Sequence, residues 1–165
     1  MSITMYDGVG ADAAVIHREF PNTVMVAGYI NGGYAWTQAE WNRFPHAKHV
    51  TITIDSHTDA GDVLDVEAGN APASRAGAWI TMRKKAGLHR PTIYCSRSVI
   101  PSVRQGTGSY VLGRDYDIWV ADYTGSPHHV TAPGPGAAAA CAATQYRRTR
   151  FYDVSEVYDT GWPHR

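Results

Sequence analysis

Eight short runs of β-branched and apolar residues punctuate this chain, and the gaps between them decide what it can fold into. They read as strands at Ile3–Val9, Thr23–Ile30, His49–Asp55, Val63–Ala68, Pro91–Ser96, Asp117–Tyr123, Ala142–Tyr146 and Tyr152–Val157. Several gaps carry helical patterns, and that alternation is the signature of an α/β fold. Asp12 can cap a helix over Ala13–Phe20, ended by Pro21 and Asn22. Thr37-Gln-Ala-Glu40 is a capping box ahead of Trp41 and Phe44. The best helix opens at Pro72, repeats Ala76, Trp79, Ile80 and Arg83 at helical spacing, and stops at Gly87. A shorter one is expected near Val99–Val103.

Two gaps break the rhythm. Arg147–Phe151 is shorter than the roughly dozen residues a parallel crossover needs, so the last strand should run antiparallel as a hairpin partner. Ser56–Asp62 is also short and fits either a helix-free crossover or a reversal. Ser126–Gly136, rich in Pro and Gly, reads as a loop in place of a helix. The expected fold is therefore a small irregular (β/α) barrel in one domain, 1–165. It should have about eight strands, fewer helices than a full TIM barrel, and an antiparallel end.

Lys plus Arg (15) balance Asp plus Glu (15), so no global field draws the chain to nucleic acid or anionic lipid. No apolar run approaches the ~20 residues of a membrane span. Met1-Ser-Ile-Thr-Met-Tyr-Asp7 has neither the basic nor the apolar region of a signal peptide, which predicts synthesis in the cytoplasm. Cys95 and Cys141 fall on separate strands and are expected to be free, buried thiols. His57-x-Asp59 and His128-His129 lack paired ligand spacing, so neither metal nor cofactor is expected. The basic run Arg147-Arg148-Thr149-Arg150, next to Tyr146, reads as a solvated hairpin tip, with an anionic-polymer contact as the alternative.

Function is most legible in Asp62-Val-Leu-Asp-Val-Glu-Ala-Gly69. Strand alternation puts Asp65 and Glu67 on one face and Leu64 and Val66 on the other. Side-by-side acids at a strand end cost several kcal/mol in desolvation and repulsion, so a purely structural strand would carry Val or Thr instead. Active sites of parallel α/β sheets and barrels form at the C-terminal strand ends. Asp7 lies near the end of the first strand, and Tyr123 shares a face with Trp119 and Ala121 on the sixth. Asp153 begins the eighth, which returns it to the same rim if that strand is antiparallel. Asp122 faces away and suits a salt bridge. Tyr29 and Tyr34 can stack on a sugar or simply pack, whereas Trp36 and Trp41 suit packing against a helix.

The same residues carry a family resemblance. Asp7, Asp-Val-Glu at 65–67, Trp-Val-Ala-Asp-Tyr at 119–123, Thr-Gln-Tyr at 144–146 and Tyr-Asp-Val-Ser at 152–155 form an ordered series over nearly the whole chain. It resembles glycoside hydrolase family 25, the Chalaropsis-type lysozymes, and looks closest to small glycoside-hydrolase-like relatives from actinobacteria and their phages. The resemblance implies an N-acetylmuramidase barrel that retains configuration and uses no metal. Glu67 then matches the general acid, and Asp65 the second carboxylate that steadies charge or orients an acetamido group. Asp7 and Asp153 match supporting acids, Tyr123 matches a wall residue, and Gln145 lies in the matched Thr-Gln-Tyr motif. The implied partner is a peptidoglycan glycan strand, met by a monomer after release to the cell wall or as part of a virion. Thr144 stands where the family usually has tryptophan.

The chemistry can be stated without the family. Glycoside cleavage needs one carboxyl protonated near neutral pH and another ionised. Asp65, ionised next door, is expected to raise Glu67 by like-charge repulsion, with burial pushing the same way. Two functions follow: an endolysin-type hydrolase, or a non-catalytic wall-binding or phage structural barrel. The first requires the 65/67 pair to open into the same solvent-accessible hollow as Asp7.

Overall fold

A computed structural model describes residues 1–165. Eight strands close into one barrel in chain order: β1 Ile3–Asp7, β2 Met25–Tyr29, β3 Lys48–Thr53, β4 Val63–Asp65, β5 Thr92–Ser96, β6 Asp117–Ala121, β7 Ala143–Arg148 and β8 Asp153–Val157. The pairs from β1 through β7 are parallel. β8 runs antiparallel to both β7 and β1, as the short link expected from the sequence requires, and β7 runs on through Arg148 to shorten that link further. Four helices serve eight strands: α1 Ala13–Glu19, α2 Gln38–Trp41, α3 Ala76–Lys85 and α4 Ile100–Gly106. The fold is thus the expected small irregular α/β barrel.

Alternation along the strands separates two cores. Met5, Met25, Val50, Val63, Trp119 and Val157 point into the barrel. Leu64, Ile93, Ile118 and Val120 point outward onto Trp79, Ile80, Ile100 and Val103 of α3 and α4. Under α1 and α2, Trp36 packs against Trp41 with the rings tilted by 40° and 4.6 Å between their centres, the packing role expected of both. Gly28 makes that contact possible, because a Cβ there would lie 2.6 Å from the Trp36 ring. Cys95 and Cys141 are free and buried in the outer core.

The Ser56–Asp62 link is a helix-free parallel crossover. It can be so short because β4 is staggered upward: its first residue, Val63, pairs with Ile52 near the end of β3. Arg83 of α3 pins the link by donating to the carbonyls of Asp59 and Gly61. The fourth strand is also shorter than Val63–Ala68 and stops at Asp65. Asn70 N–H bonds back to the Glu67 carbonyl, Ala71 N–H bonds to that of Asp65, and Gly69 takes φ +88°, so the chain turns away. The helix expected at Val99–Val103 begins one residue later and runs to Gly106.

The barrel floor is closed by the C-terminal segment. Trp162 is fully buried, donates its indole N–H to Thr92 Oγ1 at 2.7 Å, and meets Trp119 edge-on. Arg165 grips Asp62 with two nitrogens at 2.9 and 2.8 Å. The C-terminal segment thus covers the barrel end opposite the mouth where the parallel strands finish.

Candidate active site

β1, β4 and β8 bring the acids to that mouth, and β7 adds Gln145 and Arg148. Asp7 ends β1 with its side chain inward and pairs in register with Asp153 at the start of β8. Asp65 ends β4. Glu67 follows on the turn, and its charge acts on both Asp65 and Asp153. The charges of Asp65, Asp7 and Glu67 all act on Tyr29, so acids distant in sequence do converge.

Burial sorts them. Asp65 is fully buried, its Oδ2 accepting from the Tyr29 hydroxyl at 3.1 Å and from Asn70 Nδ2 at 3.0 Å. Its Oδ1 is buried with no hydrogen-bond partner. Burial, then the Glu67 charge, pushes the carboxyl up to about 7 despite those two bonds. Asp7 is 6% exposed and is pushed up to about 8 by burial and then by Asp153. Asp153 is half-buried and raised by burial, with Arg148 opposing. Glu67, in contrast, is exposed.

Gln145 joins the two sides. Its Nε2 donates to both oxygens of Asp7, at 3.1 and 2.9 Å. Its Oε1 accepts from the Tyr94 hydroxyl at 2.7 Å and from the Tyr123 hydroxyl. Two phenol donors on one oxygen fix which way the amide points, so the nitrogen must face Asp7. Tyr123 is 44% exposed above this network, and Arg148 lies over its ring at 4.8 Å. Tyr34, 55% exposed, lies with its ring centre 5.9 Å from that of Tyr29, so both tyrosines stand at the rim. Asp122 turns away and pairs with Arg97 at 2.8 Å and His128 at 2.9 Å.

One expectation needs correcting. Asp65 does not open with Glu67 and Asp7 into a solvent-accessible hollow, as the hydrolase was expected to need, because its side chain is fully buried. Tyr29 and Asn70 bond to Asp65 where it lies buried, and Gln145 bonds to Asp7 while accepting from Tyr123 on its other side. Cavities of ≈ 330 Å³ beside Glu67 and Asn70, and of ≈ 240 Å³ beside Arg148 and Asp153, flank these groups. The carboxyl that burial keeps protonated is the inner member of the pair, because the strand ends before Glu67.

Arg148, Tyr94 and Asn70 belong to the site but were not assigned to it from the sequence, where Arg148 reads as part of a solvated hairpin tip. Strict alternation from Gln145 would aim Arg147 inward. A β-bulge between Gln145 and Arg147 shifts the phase and puts Arg148 opposite Asp153 instead. Nothing in the local sequence marks that bulge. Asn70 could have been found, since Asn beside Gly at a strand end often bonds back to nearby groups. No group of three or more His, Cys, Asp or Glu side chains is placed to hold a metal ion.

Fold and site together define a small irregular (β/α) barrel with an acid- and tyrosine-lined mouth at its C-terminal strand ends. No family model matches the chain, nor does any curated protein. It is similar in outline to crystal structures of the Mycobacterium tuberculosis Tat-secreted protein Rv2525c. The HEPES complex is 14% identical over 94% of this chain and 95% of that one, with a TM-score of 0.46. The L-tartrate complex is 14% identical over 96% of each chain, with a TM-score of 0.47.

Proposed function

We propose that this chain is a peptidoglycan-directed glycoside hydrolase of the lysozyme-like, N-acetylmuramidase kind. The observation that carries the reading is the pairing of a buried carboxyl at about 7, Asp65, with an exposed one two residues on, Glu67. Near neutral pH the inner acid keeps part of its protons while its neighbour faces solvent, so the two carboxyls sit in unlike environments, as a glycosidase pair does. Exposure makes Glu67 the member of the pair that can reach a glycosidic oxygen, and the family resemblance gives it the acid's role. Asp65 is its buried partner, and the Asp7–Asp153 pair forms the opposite wall. Tyr29 and Tyr34 offer ring faces to a sugar. The resemblance to glycoside hydrolase family 25 supports the same assignment.

Purified peptidoglycan incubated with the protein should yield new reducing ends by mass spectrometry, and Glu67→Gln should yield none. Unchanged glycan with the wild type would remove the hydrolase. A second reading, a non-catalytic glycan-binding barrel, is favoured by the full burial of Asp65. It expects wall binding by wild type and Glu67→Gln alike, with no fragments after long incubation.

A further inference from the structure

We propose that Tyr123 and Arg148 form a strap that closes the mouth over Gln145 and Asp7, with the Tyr123 hydroxyl occupying the place of a ligand hydroxyl. The proposal rests on the glycoside reading for the kind of ligand, a sugar, but its geometry stands apart from any turnover. Tyr123 Oη donates to Gln145 Oε1 and accepts from Arg148 Nη2 at 3.0 Å. A sugar hydroxyl can make the same two bonds, giving its proton to the amide oxygen and receiving one from the guanidinium.

The strap is held firmly by its backbone and weakly by its side chain. On either side of Tyr123, Asp122 N–H bonds to the Gln145 carbonyl and Gly125 N–H to that of Tyr146, both at 2.9 Å. The loop is therefore pinned to β7, and opening needs only a swing of the Tyr123 side chain. Outside, that side chain is held by a guanidinium whose own side chain is 65% exposed and which reaches Asp153 only at 3.5 Å. Exposed ion pairs and exposed cation–π contacts hold little. Beneath, Gln145 is 2% exposed and keeps the Tyr94 hydroxyl at 2.7 Å. Swinging Tyr123 away thus uncovers an amide already oriented, with Asp7 still bound to its nitrogen.

Carbodiimide labelling of carboxyls at pH 5, mapped by mass spectrometry, tests this without any assay of activity. At that pH Asp7, at about 8, is protonated throughout, so its rate reports access. In the wild type Glu67 should label fast and Asp7 slowly. Arg148→Ala should speed Asp7 about five- to tenfold, the loss of one exposed ion pair and one exposed cation–π contact. Arg148→Lys, which keeps the charge without the planar stack, should fall between. Asp7 labelling as fast as Glu67 in the wild type, or at an unchanged rate in Arg148→Ala, overturns the strap. So does an equal rise at Asp117 on the barrel floor, which would report general loosening. Loss of wall digestion in Glu67→Gln bears on the hydrolase alone and leaves these rates as they are.

Discussion

Replacing Asp65 by Asn should make this protein more stable at pH 8 than the wild type, and no more stable at pH 4. An ordinary aspartate titrates near 3.9, whereas burial and the Glu67 charge push Asp65 up to about 7. Below pH 4 the acid is protonated in the folded and unfolded chains alike and contributes nothing. As pH rises, the unfolded chain ionises first, so folding becomes less favourable by about 1.4 kcal/mol per pH unit until the folded group also ionises near 7. Across that window the cost reaches about 4 kcal/mol. Asn keeps an oxygen for Tyr29 and Asn70 and never ionises. Its nitrogen, placed where Oδ1 has no partner, adds a penalty that is the same at every pH. Urea unfolding from pH 4 to 9 reads the difference. With a slope of about 2 kcal/mol per molar, the Asp65→Asn midpoint should gain about 2 M on the wild type between pH 4 and pH 8. A constant gap between the two proteins across that range would refute the burial reasoning.

Three further outcomes follow from the packing. Trp162→Ala should cost about 3–5 kcal/mol in urea unfolding, since a fully buried indole is lost from the barrel floor, and a loss below about 1 kcal/mol would mean that the floor is not sealed as described. Gly28→Ala should cost about 1–3 kcal/mol by thermal melting because the added methyl meets the Trp36 ring, and an unchanged melting temperature would contradict that contact. His128 is raised by the Ser126 carbonyl and then by Asp122, so its contribution is complete below about 6.5 and fades as pH rises through its higher folded value. The stability gap between wild type and His128→Gln should shrink by up to about 1 kcal/mol from pH 6 to pH 9, and a gap that widened would reverse the sign argued here.

The strands were legible because Val, Ile and Thr cluster where a pleated, half-buried surface wants them, and the five-residue Arg147–Phe151 link left β8 no parallel option. The convergence of Asp7, Asp65, Glu67, Tyr123 and Asp153 followed from placing strand ends on one rim. What escaped depends on contacts between distant residues. The helix-free β3–β4 crossover rests on the stagger of β4 and on Arg83, neither of which leaves a local pattern. The end of β4 at Asp65 depends on Asn70 and Gly69 turning the chain, and that one step reverses which acid of the pair is buried. Arg148 replaces Arg147 at the mouth through a bulge that alternation cannot register. Trp162, one apolar residue outside any periodic run, gave no sign that it plugs the floor.

The coupling between the two neighbouring acids of β4 and its turn is most directly measured by NMR titration of the Asp65 carboxyl in the wild type and in Glu67→Gln. The midpoint should lie near 7 in the wild type and fall when the Glu67 charge is removed. A wild-type midpoint below about 5, or one that Glu67→Gln leaves in place, would contradict the account.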